Sequence, residues 1–186
     1  MRIPLLIAIV FSFFFLNSCK EETFPKPKGY LSLKYPKQSY IQTKSNCPFT
    51  FERAKQTKIW VNDKCWMKIN YPKLNATIDI TYIPVKGNIK QLFMEAEKLT
   101  TKHSIKADKI SFMPYENKKQ HVYGKMSNVT GNAASPIQFH VTDSTKHFLT
   151  GAVYFNVEPN YDSILPAINY IEKDVAHLIE TLHWKK

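Results

Sequence analysis

The fold is decided by the segment Ala76-Thr77-Ile78-Asp79-Ile80-Thr81-Tyr82, in which apolar and polar residues alternate. Successive side chains of a strand point to opposite faces of a sheet, so a period of two predicts a half-exposed β-strand. We expect Cys65–Tyr71 to pair with it as a hairpin, because Pro72-Lys73-Leu74-Asn75 supplies turn-forming residues between them. This antiparallel pair is the start of a sheet to which later strands can be added.

Later segments carry the same signal or a fully apolar variant of it. Ile137–Thr142 alternates and is predicted to be a half-exposed strand, with Gln138 and His140 on its polar face. Phe148–Val157 is apolar on both faces, which predicts a central strand. Further strand candidates are Lys109–Tyr115, His121–Val129 and an early edge strand at Leu31, Leu33 and Tyr35.

Two segments have the period of amphipathic helices. Asn88 is placed to cap the first, which should end near His103, and Ser163 is placed to cap the second, with Pro166 tolerated in its first turn. The apolar stripes are Ile89, Leu92, Phe93, Ala96 and Leu99, then Ile164, Ala167, Ile168, Ile171, Val175, Leu178, Ile179 and Leu182. The order of hairpin, helix, four strands and helix predicts an α+β fold, with an antiparallel β-sheet flanked by helices. This order resembles that of the PsbP/Mog1-like α/β/α sandwich.

The amino terminus predicts an exported lipoprotein. Arg2 precedes the apolar run Ile3–Leu16, whose 14 residues suit the core of a signal peptide. A transmembrane helix needs roughly 20 such residues. Leu16-Asn17-Ser18-Cys19 then forms a lipidation box. We predict that residues 1–18 are a signal peptide and that acylated Cys19 anchors the protein to a lipid bilayer; a plain secretory signal or an uncleaved anchor are the alternatives.

The chain after Cys19 is predicted to be a tether followed by one folded unit. Residues 19–29 are polar and interrupted by proline, which is typical of a linker, and residues 30–186 are long enough to bury a core. Lys20-Glu21-Glu22 resembles a surface-export tag of some Bacteroidetes lipoproteins. Our expectation for the location is nevertheless the cell envelope with the domain facing the periplasm.

Positive charge is concentrated beside the anchor. Residues 20–73 hold 12 Lys and Arg against 4 Asp and Glu, whereas residues 74–186 hold 13 against 11. Basic residues near a membrane attract anionic headgroups, at about 1 kcal/mol each; a solvated face of the domain is the alternative explanation. The sequence pI of about 9.5 also occurs in nucleic-acid-binding proteins, but an exported lipoprotein does not meet nucleic acid, so we expect no such partner.

Two cysteines remain for the folded domain, Cys47 and Cys65. An even number of cysteines in an exported domain favours a disulfide, and two free buried thiols are the alternative. No CxxC motif or close histidine pair accompanies them, so we do not expect a zinc site.

The densest polar cluster is His140-Val141-Thr142-Asp143-Ser144-Thr145-Lys146-His147. It holds the residue types of a nucleophile, its base and an orienting acid, and a hydrolase would bring His140, Asp143 and Ser144 together in a cleft. His140 and His147 could alternatively hold a metal. A hairpin turn between two apolar strands explains the cluster better. We therefore expect no enzymatic activity, metal or cofactor.

Six segments in order carry a family resemblance: Gly29-Tyr30-Leu31, Cys47-Pro48-Phe49-Thr50-Phe51, Asn70-Tyr71-Pro72-Lys73-Leu74, Gly131-Asn132-Ala133-Ala134-Ser135, Val141-Thr142-Asp143-Ser144 and Pro159-Asn160-Tyr161-Asp162-Ser163-Ile164. Through them the chain resembles the gliding-motility-associated lipoprotein GldD family over nearly all of its mature sequence. The resemblance implies an accessory or assembly component of the gliding motility and type IX secretion apparatus, with the membrane protein GldE as a partner. It implies no catalytic residues.

The candidate functions make different predictions about the surface. An interaction protein exposes an apolar or aromatic patch without convergent titratable groups. An envelope lipoprotein that binds a small molecule or glycan has a deep pocket lined by aromatics such as Trp60, Trp66 or Tyr154. The hydrolase described above is the third candidate.

Overall fold

A computed structural model describes residues 35–103, 107–157 and 160–185 of the chain. The predicted signal peptide, the acylated Cys19, the tether, and Leu31 and Leu33 lie outside the described residues. Tyr35 is described and is not part of a strand, so the predicted early edge strand does not include it. Among the described residues, neither helix is long and apolar enough to span a bilayer.

The described elements alternate much as the sequence predicts. In chain order they are β1 (Tyr40–Gln42), β2 (Phe49–Thr50), β3 (Glu52–Ala54), β4 (Lys58–Val61), β5 (Met67–Tyr71), β6 (Ala76–Pro84), α1 (Ile89–His103), β7 (Ala107–Asn117), β8 (Val122–Gly131), β9 (Ile137–Thr142), β10 (His147–Phe155), α2 (Tyr161–Glu180) and β11 (His183–Trp184). The α+β prediction is therefore confirmed.

Seven strands form one antiparallel sheet in the order β4-β5-β6-β10-β9-β8-β7. The predicted hairpin is confirmed, since β5 pairs with β6 and Tyr71 faces Ala76 across the turn. Strand β10 lies in the middle of the sheet, between β6 and β9, as its doubly apolar pattern predicts. The prediction that β9 is half exposed is wrong, because all six of its residues are buried. Helix α1 covers the polar face of β9 that the sequence pattern assigned to solvent.

The two helices differ in how well their ends were predicted. Helix α1 begins directly after Asn88 and ends at His103, as predicted. Helix α2 begins after Asn160, so the prediction that Ser163 caps it is wrong; the Ser163 hydroxyl instead donates to the Asn160 carbonyl at 2.9 Å, inside the first turn. Pro166 consequently lies in the second turn rather than the first.

Helices α1 and α2 pack on opposite faces of the sheet. The main core is formed by α2 and the residues of β6 and β9 that face it, including Ile78, Ile80 and Phe139. A smaller cluster joins Leu92 and Ala96 of α1 to Phe148, with Ile83 packed against it. Because successive strand residues point to opposite faces, these two clusters lie on the two sides of the sheet. The resemblance to the PsbP/Mog1-like sandwich itself stays a prediction.

A disulfide joins Cys47 and Cys65, with the two Cα atoms 5.6 Å apart. The predicted pairing is confirmed. Cys47 belongs to the main core, and two short sheets, β1-β3 and β2-β11, fasten the segment around it. Sequence patterns missed these strands and β4, since each is only two to four residues long.

Candidate functional site

The predicted polar cluster forms the hairpin turn between β9 and β10. The Asp143 carboxylate accepts backbone N–H groups from Thr145, Lys146 and His147 at 3.0, 2.8 and 2.8 Å. Burial alone would raise the pKa of Asp143, but these bonds and one from the Thr145 hydroxyl more than offset it, so the pKa is lowered. Ser144 adopts the left-handed conformation of a turn residue, with φ of 68°. The turn interpretation is confirmed.

The two histidines of this cluster point to opposite faces of the sheet. His140 stacks on Phe148 on the α1 face, with ring centroids 5.9 Å apart. His147 stacks on Trp184 at 5.0 Å, and its Nδ1 lies 2.9 Å from the Tyr82 hydroxyl, on the α2 face. Two side chains separated by a sheet cannot share a metal ion. Three or more metal-ligating side chains do not cluster anywhere in residues 35–103, 107–157 and 160–185.

A cleft of about 280 Å³ lies between α1 and the sheet. His140 lines it, whereas Asp143 and Ser144 do not, so these three residues do not meet there. The lining residues come from one helix and four strands; they are Asp79, Thr81, Ala96, Leu99, Thr100, Ser127, Gln138, Phe139, His140, Thr150, Gly151, Ala152 and Tyr154. Most of them carry polar side chains, which is unusual for the space beneath a packed helix.

The floor of the cleft is the middle of one cross-strand row. Directly paired residues of neighbouring strands lie side by side on the same face. The row crosses all seven strands through Trp60, Lys68, Asp79, Ala152, Gln138, Ser127 and Phe112. Six inter-strand steps of about 4.8 Å make it about 29 Å long. Its two ends are exposed aromatic side chains, Trp60 at 61% and Phe112 at 54%.

Two buried polar atoms of this row have no hydrogen-bond partner among the residues that the structure describes. They are the Nε2 atom of Gln138 and the Oδ1 atom of Asp79. Gln138 is only 6% exposed. The other carboxylate oxygen of Asp79 lies 3.7 Å from the Lys68 ammonium. A buried polar group without a partner costs about 1–3 kcal/mol, so such atoms are rare unless a water or ligand satisfies them.

His140 gives the cleft a neutral donor and acceptor. Burial lowers the pKa of its imidazole, Glu97 raises it and Lys125 lowers it, with a net decrease below the usual 6.5. A neutral imidazole has one N–H donor and one acceptor nitrogen. Glu97 and Lys125 form an ion pair at 2.6 Å between α1 and β8, which fixes the helix over the sheet.

The α2 face of the sheet also buries a carboxylate, Asp174, and both of its oxygens accept hydrogen bonds. The Asp174 carboxylate of α2 accepts from the hydroxyls of Tyr40 and Tyr71 at 3.1 and 3.0 Å and from the Gln38 amide at 3.0 Å. Burial raises the pKa of Asp174, while these bonds and the nearby His177 lower it, with a net increase above 3.8. The arrangement ties β1 and β5 to α2 and is a structural network.

The aromatic residues expected in a ligand pocket are not together. Tyr154 lines the cleft. Trp66 borders a separate open groove beside Cys65, and Trp60 stands at the far end of the row on β4. Sequence reasoning missed Asp79, Ser127 and Gln138 as site residues. Their polarity was visible in the sequence, but it matched the alternation expected of half-exposed strands and so did not mark a site.

Comparison with known families places the chain. The family model for the gliding motility lipoprotein GldD matches residues 20–184, so the match begins one residue after Cys19. A search of curated proteins finds no match. The match spans nearly the whole chain, and the chain belongs to the gliding motility lipoprotein GldD family. The resemblance carried by the six sequence segments is confirmed.

Proposed function

We propose, proceeding from that membership of the GldD family, that this envelope lipoprotein is an accessory component of the gliding motility and type IX secretion apparatus. It acts as a membrane-tethered module that binds other membrane proteins of the apparatus, with GldE as the expected partner. The observation that carries the proposal is the family match over residues 20–184, which covers the tether as well as the folded domain.

The surface of the sheet supports a binding role. Among the described strands, β7 lies at the edge of the sheet with no neighbour on its outer side, and Phe112 and Met113 on it are each more than half exposed. Edge strands with exposed apolar side chains are sites where another chain can add. We assign this edge to a strand or apolar segment of the membrane partner.

The predicted anchor sets the distance at which this module works. The tether of about ten residues between Cys19 and the domain reaches at most about 35 Å. Acyl chains on Cys19 and the basic residues of the first third of the mature chain would both hold the domain at the bilayer. A partner bound at β7 is therefore itself at the membrane.

The test is crosslinking and pull-down from membranes of gliding cells, with motility measured in parallel. Cys19→Ala should abolish gliding and partner capture while the domain still folds. The double substitution Phe112→Ser and Met113→Ser should reduce capture without releasing the protein from membranes. Met94→Ser is the control, because Met94 is even more exposed than Phe112 and Met113 but lies on α1.

Two results would contradict the proposal. Gliding supported by the soluble Cys19→Ala variant would make tethering incidental. Full partner capture by the Phe112 and Met113 double variant would move the binding surface away from β7.

A further inference from the structure

The cleft beneath α1 has features that an interaction module does not need. Most of its lining residues carry polar side chains, its volume is about 280 Å³, and one donor and one acceptor beside it have no partner among the described residues. We propose that this cleft is a binding site for one uncharged sugar ring, held between Gln138 and Asp79. The site is additional to the partner surface at β7.

The size of the cleft selects a small ligand. Clefts for drug-sized molecules have volumes of about 300–1,000 Å³, and this cleft lies just below that range, so it suits a smaller ligand. A single six-membered ring with its hydroxyl groups is of the right size.

The polar groups of the cleft match hydroxyl chemistry. The Gln138 amide needs an acceptor and the Asp79 carboxylate needs a donor, and the two residues flank Ala152 in the same cross-strand row. A hydroxyl group is both donor and acceptor, and Asp79 and Gln138 lie two inter-strand steps apart, so hydroxyls on opposite sides of one sugar ring are suited to bond them. The hydroxyls of Thr100, Thr150 and Ser127 line the same space.

The charges around the cleft favour an uncharged ligand. The Asp79 carboxylate repels an anionic ligand. The nearby Lys68 ammonium is already paired with Asp79 and is therefore not free to bind such a ligand. Lys125 at the α1 side is paired with Glu97, and His140 lies buried against Phe148. The walls therefore offer hydrogen bonds without an unpaired cation for a phosphate or carboxylate ligand.

Aromatic rings lie where further sugar rings would extend. Tyr154 lines the cleft itself. Trp60 is two inter-strand steps from Asp79 in the same row, a distance of about 10 Å, and its ring is exposed. Flat apolar faces of this kind can pack against the C–H face of a sugar.

The test is a titration of the full chain, purified in a detergent without a sugar headgroup, followed by nuclear magnetic resonance of the Gln138 side-chain amide. The probes are D-glucose, D-galactose, D-mannose and N-acetyl-D-glucosamine, with D-glucuronate as the charged comparison. We expect a saturable shift with at least one neutral sugar and at least about tenfold weaker binding of glucuronate, because Asp79 repels its carboxylate.

Variants separate binding from folding. Gln138→Leu has no side-chain amide to observe, so binding to it is followed through the backbone amides of β9. It should lose sugar binding, yet its melting temperature without ligand should rise, because it removes an unpartnered buried donor. Asp79→Asn should weaken the binding of neutral sugars and reduce the difference in affinity between neutral sugars and glucuronate. Gln91→Leu is the matched control, since Gln91 lies exposed on α1 and its amide already binds Glu95.

Three results would overturn the proposal. They are the absence of a saturable shift with all four neutral sugars, glucuronate binding as tight as that of the neutral sugars, and undiminished binding by Gln138→Leu.

Discussion

The two faces of the seven-stranded sheet differ in the size of their apolar cores and in how their buried carboxylates are bonded. The α2 face holds most of the apolar core, and its buried carboxylate, Asp174, accepts bonds from three side chains. The α1 face has a core of three buried residues, and beside it the cleft leaves atoms of Gln138 and Asp79 without partners.

This difference indicates that the faces have different tasks. A large apolar core with a bonded carboxylate contributes stability, whereas unpartnered polar atoms cost stability. The α2 face also has such an atom, since the Asn128 Oδ1 atom has no partner among the described residues although the Asn128 amide donates to Glu172 of α2. The α2 face holds most of the apolar core, and the two binding surfaces that we propose are on the α1 face and at the β7 edge. Substitutions on the two faces should therefore change the free energy of unfolding by different amounts, and in some cases in opposite directions.

The largest expected effect is on the α2 face. Leu178→Ala removes a side chain that is 2% exposed and should lower the free energy of unfolding by about 2–5 kcal/mol, through lost burial and a cavity. Leu99→Ala on α1 is the matched control, because Leu99 is 48% exposed, and should cost less than about 1 kcal/mol. Urea denaturation of both variants measures the two values. Equal losses would remove the distinction between the faces.

The disulfide should have the next largest effect, and it too acts through the α2-face core. Replacing Cys47 and Cys65 together by serine opens a loop with a sequence separation of 18 residues and should cost about 3 kcal/mol. Thermal unfolding with and without reductant provides the measurement, and the double variant should be insensitive to reductant. A wild-type protein whose melting temperature is unchanged by full reduction would contradict this expectation.

Matched polar substitutions should give opposite signs on the two faces. Asp174→Asn replaces one acceptor oxygen by an amide nitrogen that cannot accept, so at least one of the three side-chain donors loses its partner and the free energy of unfolding should fall by about 2 kcal/mol. Gln138→Leu removes an unpartnered donor and should raise stability, by about 1 kcal/mol. The denaturant midpoint should be lower than that of wild type for Asp174→Asn and higher for Gln138→Leu. A loss of stability in Gln138→Leu would show that the amide is satisfied in solution.

The sequence predicted those parts of the fold that depend on local periodicity. The β5–β6 hairpin, the central place of β10 and the extent of α1 after Asn88 all follow from alternation or from a helical stripe. The start of α2 was misplaced because Asn160 and Ser163 are both residues that favour helix starts, and only the backbone shows which one begins the helix.

The cleft could not be predicted, because it depends on register between distant strands. Asp79, Ser127, Gln138 and Ala152 become neighbours only once β6, β10, β9 and β8 are paired in order. The sequence correctly marked Gln138 and His140 as sharing a polar face, but it could not show that α1 buries that face. The sequence could, however, have shown that His140 and His147 lie on opposite faces. Side chains alternate along each strand, and Thr142 pairs with Phe148, so even-numbered residues of β9 and β10 share one face and odd-numbered residues share the other.

The smallest expected effect is a pH dependence shared by both faces. Burial is the main cause that lowers the pKa of His140 on the α1 face and of His147 on the α2 face; Asp143 raises the pKa of His147 and Lys146 lowers it. The unfolded chain therefore binds more protons just below pH 6.5. The stability that these groups contribute is present above about pH 6.5 and is lost as the pH falls toward their folded values.

Asp174 acts with the opposite sign, because its raised pKa favours the folded state only at low pH. Melting temperatures between about pH 8 and about pH 5 separate these contributions when wild type is compared with His140→Leu and His147→Leu. Each substitution should reduce the drop in melting temperature at acidic pH. The reduction in His140→Leu measures the contribution of the α1 face, and the reduction in His147→Leu measures that of the α2 face. If His140→Leu left the profile unchanged, the cleft would already hold enough water to stabilise a charged imidazole, and the α1 face would be wetter than its burial indicates.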